Sequence, residues 1–263
     1  MKKFIYNVAH EAGQFLMRNI DTDYQISIKG GVAEQDLVTE IDKQCEDLIV
    51  KSLIKEFPEH GIIAEENTKL NTHAPYQWII DPLDGTTNYI HKNPMFSISI
   101  GLMHKEDIVL GLIYNPYYNE LFYAEKGKGA FLNDKKISVS QVPTLLKSVL
   151  VTGFACRRES QKSPNMNIVD NLIDVTQGIR RLGSAAIDLA YVACGRCDGF
   201  WEFNLNSWDV VAGTLIVREA GGNVTSFDND NDFISKRQIL ATNGKIHHEL
   251  LSSINHYKEH FPR

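Results

Sequence analysis

Cysteine is scarce: four in 263 residues, too few to make a disulfide framework in a chain this long. Basic clusters are missing as well. Lys and Arg total 27 against 33 Asp and Glu, a formal charge of −6, and no run of Lys or Arg is longer than a pair. Binding to nucleic acid or to a membrane surface therefore has no electrostatic footprint, and neither partner is expected. No apolar stretch is long enough to span a bilayer. The opening MKKFIYNVAHEAGQFLMRNI fails as a secretory leader, because His10, Glu11, Gln14 and Arg18 interrupt its apolar run. A cytoplasmic protein is expected. Repeats, low-complexity tracts and Pro/Gly/Ser-rich linkers are absent too, and no Ser/His or Cys/His nucleophile string stands out. The one CxxC, Cys194 with Cys197, has no second CxxC or His pair and follows an apolar helical run, so it reads as two packed thiols at a helix end.

What is present is an ordinary globular composition, 43% hydrophobic and 23% charged. Phe4, Ile5, Val8, Ala9, Ala12, Phe15, Leu16 and Ile20 recur at helical spacing and predict an amphipathic first helix. A second helix is predicted from an Asp36 N-cap to about Phe57, stopped by Pro58. Short buried strands are predicted at Gly61–Ala64 and Trp78–Ile80, and a β-rich stretch from Met95 to Leu132. The remainder alternates: strands at 148–152, 199–203, 223–226 and 239–242, and helices at 166–175, 185–193, 209–220 and from His247. Interleaved helices and strands predict a layered α/β domain over residues 1–263, with a soft division near 140–147 between an α+β half and an α/β half.

Four short motifs carry chemistry. In Ile79-Ile80-Asp81-Pro82-Leu83-Asp84-Gly85-Thr86-Thr87-Asn88, a buried strand delivers Asp81, and Asp84 follows three residues later. One turn can thus hold two carboxylates and the Leu83 carbonyl close together, the all-oxygen shell that a hard cation such as Mg²⁺ prefers. The helix start at Thr86 exposes N–H groups suited to a phosphate. Each residue alone is an ordinary turn former, but the whole string is specific. Glu65-Glu66 ends the neighbouring strand, and adjacent acids there call for a cation or solvent. Asp209, after Trp208, opens a small-residue helix and reads equally as an N-cap. In Asp36-Leu37-Val38-Thr39-Glu40-Ile41-Asp42, an acid-rich first turn explains most of the pattern, while Thr39 and Asp42 share one face and can point together into a cleft. Three or four acids, Asp81 placed to bridge, are what a two-metal site for phosphate ester hydrolysis requires, with the metals ~4 Å apart.

Taken in order, these motifs resemble those of the inositol monophosphatase family of magnesium-dependent, lithium-sensitive phosphatases. The resemblance runs over nearly the whole chain, and Thr86-Thr87-Asn88-Tyr89 with His91 and Pro94 favours this branch over the bisphosphate nucleotidases. It implies an α-β-α-β-α layered fold like that of fructose-1,6-bisphosphatase, usually as a homodimer. It implies one Mg²⁺ on Glu65, Asp81 and the Leu83 carbonyl, a second on Asp81, Asp84 and Asp209, and a weaker third on Glu65, with Glu66 nearby. Glu65, Thr86 and Asp42 become the catalytic group, Thr86 with Asp42 orienting or deprotonating the attacking water, and the Gly85 and Thr86 amides holding phosphate.

On the substrate side, Gly183, Ser184 and Ala185 resemble the inositol-contacting turn, and Glu202 occupies the position that binds sugar hydroxyls. Ser184 also reads as the N-cap of the following helix, and Asp188 in that helix reads as structural. Lys29 stands in for the family's loop lysine, although Lys29-Gly30-Gly31 departs from the usual loop. The resemblance implies hydrolysis of a small phosphate monoester, inositol monophosphate first. The same chemistry on fructose-1,6-bisphosphate, NADP, 3′-phosphoadenosine 5′-phosphate or histidinol phosphate is the alternative. A non-catalytic regulatory protein contacting transcription machinery is the alternative of another class.

Overall fold

A computed structural model describes residues 1–22, 26–28, 37–154 and 164–256. Lys29 and Asp36 lie outside the described residues. Helix α1 (Lys2–Asn19) is followed by the short paired strands β1 (Ile26–Ile28) and β2 (Leu37–Thr39), and then by α2 (Glu40–Glu56). The second helix therefore starts later than the sequence predicts. Thr39, not Asp36, is its N-cap: the Thr39 hydroxyl accepts from the Ile41 and Asp42 amides, and Asp42 accepts from the Thr39 amide at 2.9 Å. The preceding residues are spent on the β1–β2 pair, and Thr-x-x-Asp satisfies the same capping logic three residues on.

An eight-stranded sheet comes next. It contains β3 (Gly61–Ala64), β4 (Lys69–Leu70), β5 (Tyr76–Asp84), β6 (Ser97–His104), β7 (Asp107–Asn115), β8 (Glu120–Glu125), β9 (Ala130–Leu132) and β10 (Lys135–Ile137), in the order β10-β9-β8-β7-β6-β5-β3-β4. Helix α3 (Thr86–Ile90) interrupts it after β5. The chain then enters a five-stranded sheet, β12-β11-β13-β15-β14, formed by β11 (Val149–Thr152), β12 (Gly178–Arg180), β13 (Gly199–Phe203), β14 (Asn223–Thr225) and β15 (Gln238–Thr242). Helices α4 (Pro164–Ile173), α5 (Ala185–Ala193), α6 (Ser207–Glu219), α7 (Phe233–Lys236) and α8 (His247–Asn255) intervene or follow.

Three apolar cores lie between five layers, the central one covering both faces of its helices. Trp78 and Ile80 of β5 pack with Ile5 and Leu16 of α1 and Ile49 and Leu53 of α2. Their neighbour Ile79 points to the other face, into a core shared by α5, α6 and the second sheet. This alternation is the two-residue period of a strand covered on both faces. On the second sheet, Phe200 faces that central core while Trp201 and Phe203 face Ile168 of α4 and Leu250 of α8. The layers thus run α1/α2, large sheet, α5/α6, small sheet, α4/α8, the α-β-α-β-α arrangement expected. Close approach of the central layer depends on glycine. A Cβ on Gly111 would collide with the Ala212 carbonyl of α6, and one on Gly101 would lie 2.6 Å from Val211. The two thiols of the CxxC form no disulfide, Cys194 at the end of α5 and Cys197 buried, and burial pushes Cys197 up to about 12, as expected of packed rather than reactive cysteines.

Candidate active site

Two parallel strands end side by side. β3 and β5 pair Ala64 with Ile80, so Glu65 and Asp81 emerge adjacent, and the Glu65 amide donates to the Ile80 carbonyl at 3.1 Å. Beyond that point β5 leaves regular pairing: Asp81 faces Ser99 of β6 but Asp84 faces Ser97, so three steps on one strand match two on the other. The bulge turns the chain so that both acids reach the site, and Pro82 at its centre has no amide to leave unpaired. Asp81 is 2% exposed, accepts from the Leu83 amide at 3.0 Å, and is hydrogen-bonded to Glu65.

Gly85 closes the turn at φ 92°, a left-handed conformation natural to glycine, and a Cβ there would lie 2.9 Å from the Met95 carbonyl oxygen. Thr86 begins α3. Its hydroxyl lies 2.9 Å from Asp42 Oδ1 and 3.2 Å from the Leu83 carbonyl oxygen. Asp42 is fully buried, and its other oxygen, Oδ2, takes the Thr39 amide and hydroxyl. The helix cap that places α2 therefore also fixes the carboxylate facing Thr86.

Asp84 and Asp209 arrive from the other half of the chain's contacts. Asp84 Oδ2 accepts from the Ser184 hydroxyl at 2.5 Å and the Ala186 amide at 2.7 Å, both at the start of α5. Ser184 is at the same time the N-cap of α5, accepting from the Ile187 amide, so both readings of Ser184 hold. The alternative reading of Asp209 as an N-cap does not hold. Asn206 caps α6, and Asp209 sits in the first turn with Oδ2 accepting from the Asn206 amide at 2.6 Å. The Ser99 hydroxyl ties this helix start to β6 through the Trp208 carbonyl.

One cavity is walled by Asp84, Gly183, Ser184, Ala185, Glu202 and Asp209, together with Gly153, Arg181 and Asp188. Glu202 is 8% exposed on β13 and lies so close over Gly153 that any Cβ there would overlap its carboxylate. Burial raises Glu202 to about 8, the nearby Asp84 adding to the effect and Arg181 opposing it. Asp188, read from sequence as structural, belongs to the same wall. It is buried, its Oδ1 has no hydrogen-bond partner, and burial with the charges of Glu202 and Asp84 holds it well above the usual carboxylate range. Asn88 is a second residue that sequence reasoning left without a role: its amide donates to the Met95 and Leu182 carbonyls and so joins α3 to the Gly183 turn.

The electrostatics ask for positive charge. Burial raises Asp81 most, followed by repulsion from Glu65, Asp84 and Asp209. Burial likewise raises Asp209, and raises Asp84 to about 6 against the pull of Ser184 and Ala186. Among the described residues no Lys or Arg forms an ion pair with Asp81, Asp84 or Asp209. Buried like charges of this kind are relieved by a cation, and the donor set, carboxylates plus the Leu83 carbonyl, is all oxygen and fits a hard divalent ion. Among the described residues, no three His, Cys, Asp or Glu side chains already surround one point. Each acid instead turns toward a hydroxyl, an amide or a neighbouring carboxyl of the protein.

Residues 1–259 match the inositol monophosphatase family. The chain belongs to that family. An inositol-1-monophosphatase of Synechocystis sp. is 48% identical over 231 residues, covering 88% of this chain and 80% of that protein. The Nus factor SuhB of Pseudomonas aeruginosa is 40% identical over 259 residues, covering 97% and 95%. The solved structure of an inositol monophosphatase from Anabaena superposes with a TM-score of 0.86 at 42% identity, over 97% of this chain and 94% of that one. Among the described residues no helix is long and apolar enough to cross a membrane.

Proposed function

We propose that this protein is a Mg²⁺-dependent phosphatase of small phosphate monoesters, with inositol monophosphate the foremost substrate and inositol and phosphate the products. The observation that carries the reading is the Thr86 hydroxyl 2.9 Å from the buried Asp42 carboxylate, on the turn that also holds Asp81 and Asp84. Glu65, Asp81 and the Leu83 carbonyl would hold one Mg²⁺, Asp81, Asp84 and Asp209 a second, and Glu65 a weaker third, with Glu66 beside it. When bound, Mg²⁺ supplies polarisation of the phosphoryl group and a lowered pKa for water.

The chain's own residues do the rest. With Asp42 accepting its proton, the Thr86 oxygen is left with lone pairs toward a water molecule. As that water attacks phosphorus, the bond from phosphorus to the ester oxygen breaks; the water's proton passes to Thr86 while the Thr86 proton moves to Asp42 Oδ1, and the departing alkoxide takes a proton from solvent water to leave as the alcohol. The Gly85 and Thr86 amides hold the phosphate oxygens, and the left-handed turn at Gly85 lets the backbone approach them. Gly183, Ser184, Ala185 and Glu202 receive the polyol, where a carboxyl group accepts from ring hydroxyls. Cytoplasmic residence and a homodimer belong to the same reading; Leu146, Met166 and Ile173 are exposed apolar side chains available to a partner copy.

The test is phosphate release from inositol 1-phosphate, fructose-1,6-bisphosphate, NADP, 3′-phosphoadenosine 5′-phosphate and histidinol phosphate, each with Mg²⁺ and with EDTA. Mg²⁺-dependent release, greatest from inositol 1-phosphate, is expected; preference for another member of the panel moves the assignment to that substrate. A second reading, regulatory contact with transcription machinery, is supported by the Nus factor name of relatives about 40% identical. No release from any substrate, with RNA polymerase or its elongation factors recovered in a pull-down, would favour it.

A further inference from the structure

Helix α2 does more for this site than supply Asp42. Three side chains within about one turn of it each grip one of the two acid-bearing turns. Asp42 takes the Thr86 hydroxyl, and Cys45 Sγ donates to the Pro82 carbonyl at 3.4 Å. Glu46, four residues after Asp42 and so on the same face, reaches the other turn. Its Oε2 accepts from the Glu66 amide at 2.7 Å, and its Oε1 accepts from the Asn67 amide at 3.0 Å, the Thr68 amide at 2.9 Å and the Thr68 hydroxyl at 2.7 Å.

Glu46 is only 2% exposed, and no Lys or Arg among the described residues forms an ion pair with it. Its helix neighbours Cys45, Ile49 and Val50 are buried in the apolar core. A carboxylate at such a place is tolerated because four donors replace its water. The same four donors belong to Glu66, Asn67 and Thr68, the three residues that immediately follow Glu65. The turn is then held from two sides: β5 binds the Glu65 amide through the Ile80 carbonyl, and α2 binds the next three amides through Glu46.

We propose that Glu46 is a positioning residue for metal binding, which sets the Glu65-Glu66 turn in register with the Asp81–Thr86 turn by hanging both on one helix. The proposal rests on the metal-dependent reading of the site. Glu46→Gln keeps the shape but puts an NH₂ group against at least one backbone N–H. The turn then loses the bond to the Glu66 amide, or those to the Asn67 and Thr68 amides, while Asp42, Thr86 and the Asp81–Asp84 turn keep theirs.

The test compares wild type, Glu46→Gln, Thr68→Val and Leu53→Ala by calorimetric titration with Mg²⁺, by thermal unfolding, and by the Mg²⁺ dependence of phosphate release. Leu53 is a buried core residue of the same helix with no bond to the turn, so it controls for loss of stability alone. Glu46→Gln is expected to weaken Mg²⁺ binding about tenfold or more, with kcat at saturating Mg²⁺ within about threefold of wild type. Thr68→Val shifts binding less, in the same direction, and decides the matter if Glu46→Gln does not fold. Leu53→Ala lowers the melting temperature and leaves Mg²⁺ affinity unchanged. Unaltered Mg²⁺ affinity in the folded variants, whatever their melting temperatures, overturns the proposal, as does a wild type that binds no Mg²⁺. A wild type that binds Mg²⁺ but cleaves none of the panel refutes the phosphatase reading alone, and the affinities still judge Glu46.

Discussion

Replacing Thr86 by valine isolates the proton relay. Valine matches threonine in shape, so α3 and the Gly85 turn have no reason to move, and only the hydroxyl is lost. That hydroxyl lies 2.9 Å from Asp42 Oδ1, and Asp42 is fully buried. The opposite oxygen keeps the Thr39 amide and hydroxyl, so the cap of α2 survives. Loss of one hydrogen bond to a buried carboxylate costs on the order of 1–3 kcal/mol of stability. Loss of the water's proton acceptor costs roughly 10²- to 10⁴-fold in kcat. Steady-state kinetics on inositol 1-phosphate at saturating Mg²⁺ should show the fall in kcat, with Mg²⁺ affinity by calorimetry within about threefold of wild type. Asp42→Asn disables the same relay from its far end, so the double variant should be no slower than the slower single one. Near-normal kcat in Thr86→Val, or losses that multiply in the double variant, would refute the relay.

Three further outcomes follow from the geometry. Gly153→Ala must displace the Glu202 carboxylate, so KM for a polyol phosphate should rise while hydrolysis of p-nitrophenyl phosphate, which offers no ring hydroxyls, changes little; equal effects on both would remove Glu202 from substrate recognition. Glu202→Ala should likewise alter the order of substrate preference rather than depress every substrate alike. His247 is 5% exposed between the Thr225 and Thr242 hydroxyls, and burial lowers its pKa to about 4. A depressed histidine favours the neutral form, so its stabilising share is intact above pH 6.5 and is lost as pH falls toward 4. From 6.5 to 4 that amounts to about 3 kcal/mol, and denaturation at pH 7 and pH 4.5 should show a smaller pH-dependent loss in His247→Gln than in wild type.

Where local pattern and tertiary context agree, the chain announces itself. Ala185–Ala193 and Gly199–Phe203 form with the boundaries that their residues predict, because Ser184 caps the first and both are buried on nearly every side. The Asp81–Asn88 string reads as a strand, a turn and a short helix, and the structure has all three. The bulge between Asp81 and Asp84 was not legible, since it depends on pairing with Ser97 and Ser99 of another strand. Strand β12 is three residues at a sheet edge, too short to carry a period. Asp209 and Asp188 look alike in sequence, each an acid in the first turn of an apolar helix, and only the fold reveals that both wall one cavity. Glu46 did leave a signal: an acid four residues after Asp42 on the helix face that Cys45 and Ile49 place against the core. The four donors that make it tolerable come from residues 66–68, and nothing in the helix itself points to them.

The most direct measurement is phosphate release from inositol 1-phosphate by wild type and by Asp84→Asn, each with Mg²⁺ and with EDTA. Asparagine keeps an oxygen for Ser184 and Ala186, so the fold should stand while a metal-binding carboxylate is lost. The account predicts release only from wild type with Mg²⁺. Normal release from folded Asp84→Asn, or release by wild type in EDTA, would contradict it.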